Sequence, residues 1–344
     1  MEILELEEQD RKKWDEYVYS AAQATVYHLA SWKDVMEKTF GHEAHYLLAR
    51  EGDQIHGVLP LLHIKSRLSG HFLTSMPGGL CAKNDKAAEA LVERAKELVG
   101  TSKAKYLILR DSHHKWDVPE LVTNEDHCTL VVKLSKDPEQ VWRRIKKRAR
   151  QLTNKAIKAE VEVVTGLGFL DDFYPAYSQA MRDTGTPTLG LRFFRNVAAK
   201  FPAYFNLMTV RHDRQILGGG FMAPFKDTVY CTWGGMLRQF YDLRPNHLLY
   251  WETLKYGCEN GFQWVDLGRS RWDSGTFVFK MNWGTETRPL YQQYYLNGIP
   301  RPPAVGSSRE ADTKYRLFVN VWRRLPLQVT EALGPQLRKR MPFG

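Results

Sequence analysis

HYLLAREGDQIHGVLPLL at residues 45–62 and FNLMTVRHDRQILGGGFMA at residues 205–223 carry one plan written twice. In each, an alternating apolar run reaches a polar turn, and a second run opens on Gln-Ile-x-Gly: Gln54-Ile55-His56-Gly57 and Gln215-Ile216-Leu217-Gly218. Period-two alternation on both sides of a short Gly/Asp-bearing turn predicts a β-hairpin. A second echo follows at nearly the same offset. Residues 88–100 read as helix and lead into Lys105-Tyr106-Leu107-Ile108-Leu109-Arg110; residues 248–261 do the same into Gln263-Trp264-Val265-Asp266-Leu267-Gly268. Two similar hairpins can arise by chance. A hairpin, a helix and a strand recurring in order predict a duplicated α/β domain.

The 344 residues suit two domains, each able to bury a core. The expected division is 1–135, 136–300 and a basic tail over 301–344. Before residue 135 a Gly- and Pro-bearing loop is expected between Ser66 and Asn84. Asp137-Pro138 predicts the start of a long helix to about Lys158, with proline in the first turn, where its missing N–H costs nothing. Further helices are expected over 170–184, 192–200 and 247–260, and strands over 228–234, 263–267 and 290–296. GIPRPPAVGSS at 298–308 reads as a linker. Amphipathic basic segments follow at 315–324 and 329–340.

A hydrophobic content of 43% with 12% aromatics argues for a folded protein. Cys81, Cys128, Cys231 and Cys258 lie far apart with no CxxC pair, so they read as reduced core residues of a cytoplasmic protein. The N-terminus is charged from Glu2 and has no apolar signal region, and no run approaches the roughly 20 apolar residues that span a bilayer. The expectation is a soluble chain, attached to a membrane surface at most. Lys and Arg number 49 against 39 Asp and Glu, and the excess gathers at 143–158 (RRIKKRARQLTNKAIK) and 314–340. Such clusters attract phosphate on nucleic acid, nucleotide, lipid or coenzyme A, and charge alone does not choose among them.

Four stretches can carry chemistry. Residues 238–249 follow an apolar strand and open a helix, where unpaired N–H groups attract negative charge. Arg238 and Arg244 supply cations there, and Asn246 can cap the helix; the plainer reading is a capped loop. His247 titrates near neutral pH and is a candidate base, or a packing residue. Asp266-Leu267-Gly268-Arg269-Ser270 ends a strand, as site residues do in α/β folds, although Asp and Arg can pair structurally. Lys280, beside Phe279, can set a cation near a phosphate or carboxylate while Phe279 stacks a base; the alternative is a packed aromatic strand with a snorkelling lysine. Met181-Arg182-Asp183-Thr184-Gly185-Thr186-Pro187 ends a helix in a polar loop suited to a substrate edge, or simply stops the helix. Arg143, Lys147, Arg150, Asn154 and Lys158 share a helical face, solvated or phosphate-binding. Neither a P-loop, a dinucleotide fingerprint, a nucleophile elbow nor a metal-ligand motif is found.

Taken together, the segments resemble the FemA/FemB/FemX-like group of GNAT acyltransferases, closest to FemAB-type proteins associated with exosortase/PEP-CTERM and exopolysaccharide systems. The resemblance rests on FGHEAHYLLAR (40–50), SRLSGHFL (66–73), MRDTGTP (181–187), RPNHLLYWE (244–252), DLGRS (266–270), GTFVFKMNWG (275–284) and KYRLFVNVWRRLP (314–326). It implies an α/β fold of two tandem GNAT-like domains and transfer of an acyl or aminoacyl group to an amine. It places Phe279 and Lys280 where FemX-like enzymes contact the 3′ adenosine of aminoacyl-tRNA. The segment 238–246 occupies the place of the GNAT pyrophosphate loop without its Arg/Gln-x-x-Gly-x-Gly pattern, and the long helical arm of some Fem proteins is missing.

The expected activity is N-acyl or aminoacyl transfer onto an amine of a cell-envelope or exopolysaccharide precursor, with the site in the second domain. Lys280, His247 and Asp183 are the catalytic candidates. Phe279, Arg244, Asn246, Arg269 and Ser270 are expected to hold the donor, and Arg182, Arg150 and Asn154 the acceptor. No metal and no tightly bound cofactor are expected; acyl-CoA or aminoacyl-tRNA would be the co-substrate. The acceptor would be small or lipid-linked, with tRNA and the inner membrane face as further partners. The competing expectation is a non-catalytic double-GNAT scaffold of polysaccharide export machinery.

Overall fold

The computed structural model describes residues 1–66, 70–303 and 309–341. In chain order its elements are β1 (Glu2–Glu5), α1 (Arg11–Ser20), α2 (Trp32–Phe40), β2 (Glu43–Glu51), β3 (Gln54–Ser66), β4 (Gly70–Ser75), β5 (Cys81–Ala82), α3 (Asp85–Thr101) and β6 (Tyr106–Ser112). There follow β7 (Val122–Lys133), α4 (Pro138–Arg144), α5 (Lys147–Lys158), β8 (Glu162–Thr165), α6 (Leu170–Thr184), α7 (Leu191–Lys200), β9 (Asn206–His212), β10 (Gln215–Phe225) and β11 (Thr228–Met236). The last are α8 (Pro245–Glu259), β12 (Trp264–Arg271), α9 (Gly275–Lys280), β13 (Glu286–Leu296), α10 (Arg309–Trp322) and α11 (Leu327–Arg338). Two compact units result: Met1–Asp126 with Pro289–Asp312 and Gln336–Gly344, and His127–Arg288 with Thr313–Pro335.

Both units use the same strand order. In the first it is β1-β2-β3-β4-β6-β13, and in the second β8-β9-β10-β11-β12-β7. The hairpins are β2–β3 and β9–β10, and the Gln-Ile-x-Gly repeat has a physical cause. Ile55 pairs with Arg50 and Gly57 with Ala49, so His56 bulges; Ile216 pairs with Arg211 and Gly218 with Val210, so Leu217 bulges at the same place. A bulge leaves one residue unpaired and twists the strand, and the glycine after it lets the neighbouring backbone close in. At Gly218, φ is 143° and a Cβ would lie 2.1 Å from the Gly235 carbonyl oxygen, so no other residue fits there. Parallel pairs β4–β6 and β11–β12 complete the echo.

Each unit is closed by a strand that chain order does not suggest. β13 lies antiparallel on β6 and belongs with the first unit; β7 lies antiparallel on β12 and belongs with the second from His127 onward. The sequence division placed β13 within 136–300 and β7 within 1–135. The pairing follows the buried faces: Cys128, Leu130, Val131 and Val132 of β7 are covered, and Gln293 of β13 bonds the backbone of Trp116 through both ends of its amide, at 3.0 and 2.7 Å.

Two further expectations differ. The long helix from Asp137 to Lys158 is α4 and α5, because Ile145 turns into the core and the Lys146 N–H donates to the Asn282 carbonyl at 3.0 Å. The residues 66–84 include β4, with 67–69 outside the described residues, as are 304–308 of the expected linker.

Candidate functional site

The second unit opens where two parallel strands part. β11 and β12 pair only through Thr228–Trp264, Val229–Val265 and Tyr230–Asp266. Beyond that point β12 shifts register against β7 between Asp266 and Arg269, with Gly268 at φ 80°. The bulge is held by the buried Asp266, whose Oδ1 accepts the Gly268 N–H at 2.7 Å and the Thr129 hydroxyl. A Cβ at Gly268 would stand 3.1 Å from the Cys231 carbonyl oxygen.

Lys280 enters this parting. Ser274 caps α9, its Oγ accepting the Phe277 N–H at 3.3 Å, so the Phe279-Lys280 segment is a short helix rather than a strand. That helix delivers the Lys280 Nζ to the carbonyls of Gly268 and Arg269, at 2.7 and 3.1 Å. An ammonium carries three N–H donors, and these carbonyls take two. Lys280 is 7% exposed; burial lowers its pKa below the ordinary lysine range, against Asp266, Cys231 and Cys128, which favour the charged form.

A cavity of about 420 Å³ lies beside it, walled by β10 and β11, the end of α6 and the start of α8. Facing glycines, Gly219 on Gly235 and Gly220 on Gly234, make its floor. A Cβ at Gly235 would reach within 2.8 Å of the Ala180 Cβ. Trp233, Met181, Met222 and Tyr250 make it largely apolar, and Thr184, Tyr241 and Asn246 add polar groups. The titratable groups lining it are Cys231, Tyr241, Tyr250 and Lys280, with no carboxylate among the described residues. Burial, with Asp266, pushes the Cys231 thiol up to about 12, and burial raises the Tyr250 phenol; both stay protonated near neutral pH.

The start of α8 adds positive charge. Arg244 occupies its N-cap at φ 60°, with its Nε buried and unpartnered, and no acidic residue stands in the first turn. Burial drives His247 down to about 4, with Arg244 and Arg148 opposing its protonation. Its ring centroid is 5.2 Å from that of Phe279 and 6.1 Å from that of Trp283, with Tyr250 in the same cluster.

Of the residues expected from sequence, Lys280 and Asn246 line the cavity. Arg244, His247 and Phe279 stand beside it in and around the aromatic cluster. Asp183 and Arg182 pair with each other, Nη2 to Oδ1 at 2.8 Å, between the lining residues Met181 and Thr184. Arg269 is exposed and directs its guanidinium to His127 at 3.0 Å, lending only its carbonyl to Lys280, while Ser270 is buried. Arg150 and Asn154 lie on α5, outside the cavity lining. Sequence reasoning missed the glycine floor, Trp233 and Tyr250. The Gly218-Gly219-Gly220 and Gly234-Gly235 runs, in facing strands, were the available signal.

The first unit repeats this strand arrangement with different residues. Leu73–Leu107 and Thr74–Ile108 pair in parallel, and β6 shifts register against β13 between Leu109 and Ser112, so Asp111, at φ 52°, falls where Gly268 stands in the second unit. The Ser75 Oγ accepts the Arg110 N–H and donates to the Met76 carbonyl, both at 2.8 Å, and the turn closes with the Gly79 N–H on Met76. A Cβ at Gly79 would lie 3.1 Å from that of Ser112.

Residues 140–281, which include every residue lining the cavity, match the acetyltransferase (GNAT) domain model. No curated protein matches significantly. The chain is similar to the crystal structure of FemX, at TM-score 0.67 and 16% identity over 93% of this chain and 100% of that one. A tandem GNAT protein from the clavulanic acid biosynthesis pathway gives TM-score 0.56 at 12% identity, covering 87% and 99%. L-PGS from Bacillus licheniformis gives 0.53 at 9%, covering 86% and 98%. At these identities the likeness is one of fold, and the fold is the expected one: α/β, with tandem GNAT-like units.

Proposed function

We propose that this protein is an N-acyltransferase whose second unit moves an acyl or aminoacyl group from an activated carrier to an amine. The observation that carries the reading is the parting of β11 and β12 with Lys280 held inside it. Strand edges without a ladder partner accept an extended, amide-bearing chain by adding it as a strand, and the apolar cavity beside them receives its acyl end.

In the reaction the acceptor nitrogen attacks the donor carbonyl, a C–N bond forms, and the C–S or C–O bond to the carrier breaks. The third Lys280 N–H is the cation for the developing oxyanion. With no carboxylate lining the cavity, the proton given up by the amine leaves with the departing thiolate or alkoxide, or to water. Positioning of the two substrates then supplies most of the acceleration. The donor is acyl-CoA or aminoacyl-tRNA, with phosphate directed to Arg244 and Arg148 beside the start of α8. The acceptor is an amine on a cell-envelope or exopolysaccharide precursor, in the setting of the exosortase-associated FemAB-type proteins that the sequence resembles, and the protein works in the cytoplasm. His247 and Asp183, both outside the cavity lining, are the alternative takers of that proton, and Arg182 with Arg150 and Asn154 the candidate acceptor contacts.

Labelled acyl-CoA and aminoacyl-tRNA, offered with envelope precursors, test the reading. Label should appear on an acceptor amine with the wild-type chain, and far more slowly with Lys280→Met; no transfer from either donor to wild type would reject it. The lack of a carboxylate in the cavity favours one second reading, a donor-binding scaffold. Donor binding without transfer to any amine would support that instead.

A further inference from the structure

We infer that α10 and α11 form an anionic-membrane contact that sets the cavity rim at the lipid surface. The inward face of α10 is anchored in the second unit. Val319 and Trp322 are buried, Val319 packs so closely on Gly185 that a Cβ there would meet it at 2.5 Å, and the Arg323 Nη2 donates to the Thr184 carbonyl at 3.2 Å. Thr184 lines the cavity. In α11, Glu331 accepts from the Ser178 hydroxyl at 2.5 Å and Gly334 packs on Thr188.

The outward face has the opposite character. Leu317 and Val321 are 65% and 51% exposed, and Phe318 borders them. Val321 lies four residues after Leu317 and three after Phe318, so it continues the surface of both. Arg316 and Arg324 flank that surface, and Arg338-Lys339-Arg340 follow in the sequence. The one acidic side chain over 315–341 is Glu331, already engaged. From residue 315 onward the cations face Glu331 alone, Glu310 and Asp312 standing in the first turn of α10; an apolar ridge bordered by cations matches a lipid interface, where apolar side chains enter the headgroup boundary and arginines meet anionic heads. Among the described residues no helix is long and apolar enough to cross a membrane, so the contact is peripheral. The inference does not rest on transfer activity.

The test is co-sedimentation of the full-length protein with vesicles of phosphatidylcholine alone and of phosphatidylcholine mixed with phosphatidylglycerol. The wild-type chain should bind the mixed vesicles at least ~10-fold more tightly and lose the preference at high salt. The double variant Leu317→Glu/Val321→Glu should lose binding while unfolding at the wild-type temperature, because both side chains are exposed. Arg316→Glu/Arg324→Glu should abolish the preference for anionic vesicles. Equal binding to both vesicles, or undiminished binding by Leu317→Glu/Val321→Glu, would overturn the inference. So would a dimer in solution that this double variant disperses, since the face would then belong to a second copy.

Discussion

The Lys280 Nζ lies 2.7 Å from the Gly268 carbonyl oxygen, a contact made only because Gly268 bulges out of β12 at φ 80°. One short helix and one strand bulge thus fix a buried cation beside the cavity. Replacing Lys280 by Met should lower transfer by about 10²–10³-fold, the range seen when one oxyanion donor is removed. The melting temperature should change little, because the lost hydrogen bonds are offset by relief of a buried charge. Steady-state transfer and thermal unfolding of the same preparation check both halves.

Asp266 supports the bulge. Asp266→Ala should cost about 1–3 kcal/mol, since it leaves the Gly268 N–H and the Thr129 hydroxyl without their acceptor. Denaturant unfolding of Asp266→Ala and Thr129→Val measures it. Unchanged midpoints would mean that the bulge holds without this carboxylate.

The glycine floor should be intolerant. Gly235→Ala brings a methyl within 2.8 Å of the Ala180 Cβ and should cost about 1–3 kcal/mol by overpacking. Gly52, at a turn with nothing within 4 Å of an added Cβ, is the control for crowding: Gly52→Asn, a residue that tolerates positive φ, should change stability far less.

Acid should destabilise the fold through two histidines. Burial holds His42 and His247 at about 4, helped by Lys339 and His63 at the first and by Arg244 and Arg148 at the second. An unfolded histidine titrates near 6.5, so the unfolded chain binds protons first. The stability they contribute is whole above about pH 6.5 and is lost as the pH falls toward 4, up to about 3 kcal/mol each. Unfolding free energies between pH 7 and 4.5 should fall, and fall less in His42→Gln. A flat profile would contradict this.

The duplicated hairpins were legible because the same bulge precedes a glycine each time, Gly57 and Gly218, and the register repeats with it. Helices with clear stops, such as α6 ending at Gly185 with φ 80°, were legible for a similar reason. The exchange of β7 and β13 was not, since alternation names a strand and its buried face but not the edge it joins. Lys280 was visible as a cation beside an aromatic residue, whereas the cavity was not. Its floor is glycine, which in a strand reads only as weakness, and its walls, Trp233 and Tyr250, look like ordinary core.

The claim that the parted strands of the second unit hold an acyl donor is tested most directly by ligand-linked unfolding. Wild-type protein and Lys280→Met are melted with acyl-CoAs, aminoacyl-tRNAs and, as controls, nucleotide sugars. Saturation at about 100 times Kd stabilises a fold by about 2.7 kcal/mol. At least one acyl donor should raise the wild-type melting temperature, with a smaller rise in Lys280→Met and none from the sugars. No shift from any acyl donor, or an identical shift in the variant, would contradict the assignment.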